Sequence, residues 1–110
     1  MADKRNIAVQ KLYIHGRVAD ARSGRTFPTV NPATGEIICE VQLADAADVD
    51  RAVQSAKRGF AAWSAMTGAR RGRVLMNAVK LLRQRNRELA EIEVMDTGKP
   101  IAEAEAVDIL

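Results

Sequence analysis

The feature that most constrains the fold is a change of hydrophobic period near residue 45. Upstream, apolar and polar side chains alternate through EIICEVQLA (Glu36 to Ala44), which is typical of a strand half buried on one face. The shared apolar face of this strand would carry Ile37, Cys39, Val41 and Leu43. Downstream, apolar residues recur at helical spacing, at Val49, Ala52, Val53, Ala56, Phe60 and Trp63. The chain is therefore predicted to form strands first and helices after them.

Turn residues divide the strand region. In the opening strand, Leu12 and Ile14 are predicted to point to one side, and Tyr13 and His15 to the other. The Ser-Gly pair in ARSGR, between two β-prone runs, predicts a hairpin at residues 21–25. TFPTVNPATGEII (residues 26–38) contains two prolines, an Asn-Pro and a Thr-Gly, and predicts a turn between strands.

Helix start and stop signals organise the rest of the chain. Asp45 is a good N-cap residue, and Asp48 places negative charge at the positive end of the first helix. A second helix is expected from about Thr67, with a break or a new N-cap at Asn86. Gly98, followed shortly by a proline, is typical of a helix end.

Composition and charge limit the class of protein. Hydrophobic residues make up 47% and charged residues 28% of the 110 residues, as in ordinary soluble globular proteins. The net charge of +3 predicts solubility rather than a nucleic-acid partner. The sequence has no run of about 18 apolar residues that could span a membrane, and the charged MADKRNIAVQK does not fit a signal peptide. The single cysteine suits a reducing compartment.

The length of the chain predicts one domain at most. We expect residues 1–10 to form a loose arm and residues 11–110 to form a single α/β segment. The apolar helix stripes need a surface to pack on, and the strands are too few to cover them. IAEAEAVDIL reads as the opening of a helix that stops at Leu110 without a cap, which predicts a truncated chain.

The candidate reactive side chains favour structural roles. Cys39 lies on the apolar face of a predicted strand, where packing is a better interpretation than nucleophilic catalysis. His15 is the only histidine and has no Cys or His partners at zinc-site spacing. The arginine-rich stretch from RRGR (residues 70–73) to Arg87 alternates with the apolar stripe, which favours a solvated face or an ionic subunit contact over a nucleic-acid surface. The sequence contains neither GxGxxG nor GxxxxGK[ST], the phosphate-cradling loops.

Three blocks together resemble the start of the NAD(P)-dependent aldehyde dehydrogenase superfamily. They run over residues 12–41, 48–63 and 88–104 and include Asn-Pro-Ala-Thr-Gly-Glu, Asp-Val-Asp-x-Ala-Val, Phe-x-x-Trp and Thr-Gly-Lys-Pro in the family's order. Within that superfamily, KLYIHG, SGRTF and VMDTGKP are most similar to the betaine-aldehyde dehydrogenases. Semialdehyde dehydrogenases share much of the same opening.

The resemblance implies an α/β fold in which residues 11–110 supply the N-terminal part of a Rossmann-like cofactor domain, with a β-hairpin and strand followed by helices. The implied reaction is oxidation of betaine aldehyde to glycine betaine with NAD or NADP, through a cysteine thiolate that attacks the aldehyde and a glutamate that activates water. The family's catalytic and cofactor-binding residues are all expected beyond Leu110, so this chain alone should be inactive. The resemblance also implies a cytoplasmic location and a homo-oligomer, either a dimer or a tetramer. It implies neither a membrane partner nor a nucleic-acid partner.

The resemblance also implies a structural potassium site, whose ligands correspond to Thr29, Val30 and Asp96. A hard cation prefers several oxygen ligands, mostly carbonyls with a carboxylate. Prolines on both sides of Thr29 and Val30 are expected to hold an extended loop whose carbonyls no strand pairs. Asp96 is expected near the negative end of a helix dipole. The alternative is that Asp96 only makes hydrogen bonds within its turn.

Two other functions stay open. The first is another aldehyde or semialdehyde dehydrogenase. The second belongs to a different class, a stand-alone basic helical binding module whose helices close their own core.

Overall fold

The computed structural model describes residues 7–108 and confirms an α/β chain in which strands precede helices. The described residues cluster into two compact units. The first unit takes residues 7–30 and 36–61, and the second takes residues 31–35 and 62–108. The elements are β1 (Leu12–Ile14), β2 (Arg17–Ala19), β3 (Thr26–Val30), β4 (Ile37–Gln42), α1 (Ala46–Ser64), α2 (Gly68–Gln84), α3 (Asn86–Thr97), α4 (Ile101–Glu103) and a π-helical segment (Ala104–Asp108).

The first hairpin closes at His15-Gly16 and not at Ser23-Gly24. Strands β1 and β2 pair antiparallel, with Ile14 opposite Arg17, so the loop contains two residues. His15 has φ 57° and Gly16 has φ 71°, both in the left-handed region that a type I′ turn requires. The sequence-based hairpin at residues 21–25 is therefore wrong, because that segment connects β2 to β3, which lies in the other two-stranded sheet.

The second sheet pairs β3 with β4 in antiparallel register, with Phe27 opposite Val41. The alternating run gives β4 as predicted, and Cys39 is buried, but Ile37 on the same predicted face remains 61% exposed. The backbone of Gln10 bridges to the other edge of β4 through hydrogen bonds to Glu40 and Gln42 of 2.8 and 2.9 Å. The expected loose arm of residues 1–10 is thus tied to β4 at its last residue, and its first six residues lie outside the described part.

Asp48 joins the start of α1 to the connection between β2 and β3. Its carboxylate, 1% exposed, accepts hydrogen bonds from the backbone N–H groups of Asp45 and Arg22, both at 3.1 Å. The side chain of Asp45 accepts in return from the N–H of Asp48 at 2.9 Å, which confirms its predicted N-cap role. Arg51 pairs with the Asp48 carboxylate at 2.6 Å. Burial raises the pKa of Asp48, but the hydrogen bonds from Asp45, Arg51 and Arg22 outweigh it and leave the pKa below its ordinary value.

Caps set the limits of the later helices. The hydroxyl of Thr67 accepts from the N–H of Arg70 at 3.3 Å at the start of α2, as the sequence predicted. The break between α2 and α3 falls at Arg85, one residue before the predicted position, and Asn86 is the first residue of α3. Gly98 ends α3 in the left-handed conformation, with its N–H donating to the carbonyl of Val94 at 2.9 Å.

The Asn31–Gly35 turn contacts the end of α3 within the second unit. Asn31 closes the turn twice, since its side-chain oxygen accepts from the N–H of Ala33 and its carbonyl accepts from the N–H of Gly35. A Cβ placed on Gly98 would lie 3.0 Å from Cγ of Pro32. The predicted turn is therefore confirmed, and it lies against the glycine that ends α3.

The described residues bury few side chains. Among them only Ala21, Cys39, Ala90, Ala104 and Asp48 are buried. Large apolar side chains of the helices stay exposed, for example Phe60 of α1 at 68% and Leu81 of α2 at 61%. The apolar stripes that the sequence predicted are thus largely uncovered in this chain.

Within residues 7–108, no helix is long and apolar enough to cross a membrane.

We predict that Asp48→Asn lowers the melting temperature of the chain and that this effect depends on pH. Because the folded pKa of Asp48 lies below its ordinary value of about 4, the carboxylate stabilises the fold fully above that value. The contribution is lost as pH falls through the folded pKa. The difference in melting temperature between protein and variant should therefore be largest near neutral pH and should shrink below about pH 4. Asp50→Asn, an exposed change on the same helix, is the control, and a pH-independent difference for Asp48→Asn would contradict the prediction.

We predict that Gly98→Ala destabilises the chain. An L-residue in the left-handed region costs about 1–2 kcal/mol, and the new Cβ would also press on Pro32. Gly72→Ala is the matched control, because Gly72 lies inside α2 with nothing within 4 Å of an added Cβ. The control should gain up to about 1 kcal/mol from helix propensity. Urea unfolding measures both free energies, and equal changes in the two variants would refute the role given to Gly98.

Candidate functional site

The predicted cation ligands lie on two elements. Thr29 and Val30 are the last two residues of β3, and Asp96 is the penultimate residue of α3. Thr29 is half-buried, Val30 is 45% exposed, and the side chain of Asp96 is exposed. The first two residues belong to the first unit and Asp96 belongs to the second. The assignment of these residues to a potassium site therefore stays a prediction.

One premise of that prediction is wrong. Thr29 and Val30 do not lie in an unpaired loop, because they pair with Cys39 and Ile37 of β4. The register shifts between these two pairs, which leaves Ile38 as the extra residue of a bulge. The turn itself begins only at Asn31. Proline spacing alone could not reveal this pairing, because Pro28 fits an edge strand as well as an extended loop.

The single cysteine and the single histidine both have structural positions. Cys39 is buried on β4, which confirms the packing interpretation. His15 forms the turn between β1 and β2, and its Nδ1 lies 3.1 Å from Oγ of Ser55 on α1. Sequence reasoning missed this turn, although a His-Gly dipeptide between alternating residues was the available signal. Within the described chain, no three His, Cys, Asp or Glu side chains converge as a metal site would require.

The end of the arginine-rich stretch is neutralised by carboxylates. Arg85 pairs with Glu88 at 2.6 Å on the first turn of α3. Arg87 pairs with Glu91 at 3.1 Å and with Glu105 of the π-helical segment at 2.8 Å. The pair between Arg87 and Glu105 joins α3 to the segment that follows it. These ion pairs support the interpretation of a solvated ionic face, because guanidinium groups in ion pairs are less available to phosphates.

The described residues bring together no catalytic constellation. The thiol of Cys39 is buried among strand residues, whereas a reactive thiol needs an exposed, electropositive setting. The imidazole of His15 is exposed and directed to a serine hydroxyl on a helix surface. The sequence has no glycine-rich loop that could cradle the phosphates of a dinucleotide.

Comparison with known proteins gives a consistent result. Residues 18–110 match the aldehyde dehydrogenase family. PnpE from Pseudomonas sp. WBC-3 is 43% identical with a TM-score of 0.86, over 91% of this chain and 20% of that chain. The indole-3-acetaldehyde dehydrogenase AldA of P. syringae, a mutant in complex with NAD+ and IAA, is 37% identical with a TM-score of 0.87, over 96% of this chain and 22% of that chain.

A third solved structure extends the range of substrates named among the relatives. A putative methylmalonate-semialdehyde dehydrogenase from Sinorhizobium meliloti 1021, complexed with NAD, is 40% identical with a TM-score of 0.81. The match covers 88% of this chain and 20% of that chain. The chain thus spans about one fifth of the length of the structures that it matches. On these matches, and on the family match over residues 18–110, the chain belongs to the aldehyde dehydrogenase family.

Proposed function

We propose that this chain forms the N-terminal part of the cofactor-binding domain of an NAD-dependent aldehyde dehydrogenase. The family match over residues 18–110 is the observation that carries the proposal. The solved relatives support it, because they are 37–43% identical in the three cases described and two of them contain NAD. In the whole protein, the reaction would be the oxidation of an aldehyde to a carboxylic acid. NAD, when bound, would supply the hydride acceptor.

The exposed apolar helix residues support a place in a larger protein. Phe60 and Val49 of α1 are 68% and 55% exposed, and Leu75 of α2 is 58% exposed. Apolar surface of this extent is normally covered in a folded protein. We propose that further parts of the dehydrogenase polypeptide, or another subunit of a dimer or tetramer, cover these faces. Within the chain, the caps at Thr67 and Gly98 set the helix ends and so position the faces for that contact.

For the substrate, we propose betaine aldehyde, with glycine betaine as the product. The similarity of KLYIHG, SGRTF and VMDTGKP to betaine-aldehyde dehydrogenases supports this choice. The solved relatives bear the names of several aldehyde and semialdehyde dehydrogenases, so another substrate of that class is the alternative. NADP stays the alternative to NAD as the hydride acceptor, and we propose a cytoplasmic location for the whole protein.

We also propose that Thr29, Val30 and Asp96 contribute to a structural potassium site in the whole protein. Strand β3 has only β4 as a partner among the described strands, and carbonyls of successive residues alternate between its two edges, so one of the two residues Thr29 and Val30 directs its carbonyl away from β4. Carbonyl oxygens and one carboxylate suit a hard cation.

We predict that the 110-residue chain, mixed with betaine aldehyde and NAD, produces no NADH. The physical reason is that the nucleophile, the base and the phosphate-binding glycines are all expected beyond Leu110. The longer protein that contains this segment should reduce NAD under the same conditions, measured by NADH absorbance. NADH production by the 110-residue chain alone would refute the proposal that the catalytic and cofactor-binding residues lie outside it. A longer protein that oxidises other aldehydes and leaves betaine aldehyde unchanged would instead refute the proposed substrate.

We predict that Asp96→Ala removes most of the increase in melting temperature that potassium gives the longer protein. A ligand that binds only the folded state stabilises it by RT ln(1 + [L]/Kd), so the weaker potassium binding that follows loss of a carboxylate ligand should reduce this increase. The rate of aldehyde oxidation at saturating substrate should change little. Asp50→Ala, a change of the same charge on α1, is the control. Equal protection of Asp96→Ala and the parent protein by potassium would disprove the assignment.

A further inference from the structure

A cavity of about 480 Å³ lies between the β1–β2 hairpin and α1, entirely within the first unit. The bond between His15 and Ser55 joins the tip of the hairpin to the helix beside it. On the hairpin side, Ile14 and Val18 give the cavity an apolar wall. Pockets for small molecules in proteins usually measure about 300–1,000 Å³, so this cavity has room for a small organic molecule.

The same cavity is rich in guanidinium groups. Three arginines line it, Arg17 from β2 and both Arg51 and Arg58 from α1, against the single carboxylate of Asp50. Arg51 is already paired with Asp48 at 2.6 Å. The guanidinium groups of Arg17 and Arg58 have no hydrogen-bond or ion-pair partner among the described residues. Two uncommitted positive charges therefore lie at a cavity that also has an apolar wall.

We propose that this cavity binds a small carboxylate that carries a short apolar group. The planar guanidinium group donates two parallel hydrogen bonds to a carboxylate, which makes Arg17 and Arg58 the anchors for the charged end. The apolar group would lie against Ile14 and Val18. The amide of Gln54, which also lines the cavity, can donate a further hydrogen bond to the carboxylate.

This combination of walls favours an amphiphilic anion over a bare phosphate. A phosphate would gain nothing from the apolar wall, and the carboxylate of Asp50 opposes a doubly charged ligand more than a singly charged one. The proposal is independent of the dehydrogenase function, because it uses only residues of the first unit and no catalytic group. Its success or failure thus leaves the proposed reaction untouched.

The experiment is a calorimetric titration of the 110-residue chain with benzoate at low ionic strength, compared with the neutral isostere benzamide. Benzoate should bind saturably, and benzamide should bind at least about tenfold more weakly, because it cannot form charge-assisted hydrogen bonds. The double variant Arg17→Gln with Arg58→Gln should also lose at least about tenfold in benzoate affinity. The matched control, Arg25→Gln with Arg83→Gln, changes two exposed arginines outside the cavity and should bind benzoate as the parent does.

A second measurement needs no variants and covers the case in which the double variant fails to fold. Phenylglyoxal modifies accessible arginines, and mass spectrometry reads the extent of modification at each position. Benzoate should protect Arg17 and Arg58 and leave Arg25 and Arg83 reactive. Three results would each overturn the proposal. Benzoate and benzamide could bind equally well, or inorganic phosphate could bind as tightly as benzoate. Benzoate could also protect all four arginines to the same extent.

Discussion

The carboxylate of Asp48 is the interaction on which the first unit depends. Burial of a charge is unfavourable unless hydrogen bonds and an opposite charge compensate it, and Asp48 receives both. Its bond to the N–H of Arg22 holds the connection after β2 beside the start of α1. Its pair with Arg51 commits the charge of one of the three arginines that line the neighbouring cavity, so the cavity's uncommitted charges come from Arg17 and Arg58. One residue thus determines both the helix start and the charge of the cavity.

The helices were predictable from the sequence because their end signals are local. Thr67, Asp45 and Gly98 act through hydrogen bonds or backbone angles within a few residues, and each lies where its pattern indicated. The first hairpin was misplaced because two dipeptides, His15-Gly16 and Ser23-Gly24, compete for it. Both glycines have positive φ, so the choice depends on strand pairing with residues farther along the chain. Such pairing leaves no local signature.

The candidate site was less predictable, for a different physical reason. Main-chain carbonyls give no side-chain signal, so the sequence could not reveal that Thr29 and Val30 pair with β4 beside a bulge. The packing of Cys39 was predictable, because alternation alone places it on the apolar face. The cavity beside α1 was not, since Arg17 and Arg58 are far apart in sequence and converge only through the hairpin. Tertiary contacts thus decide where the charges meet.

Pro28 has a consequence for the behaviour of the chain in concentrated solution. It lies in the middle of β3, opposite Glu40, while Phe27 beside it is 44% exposed. An apolar edge strand is a template on which a second molecule can add a strand, and repeated addition leads to fibrils. A proline has no N–H to offer the incoming strand, so it interrupts the ladder at its first step. The residue that shapes the start of the turn thereby also protects the edge against intermolecular β-sheet growth.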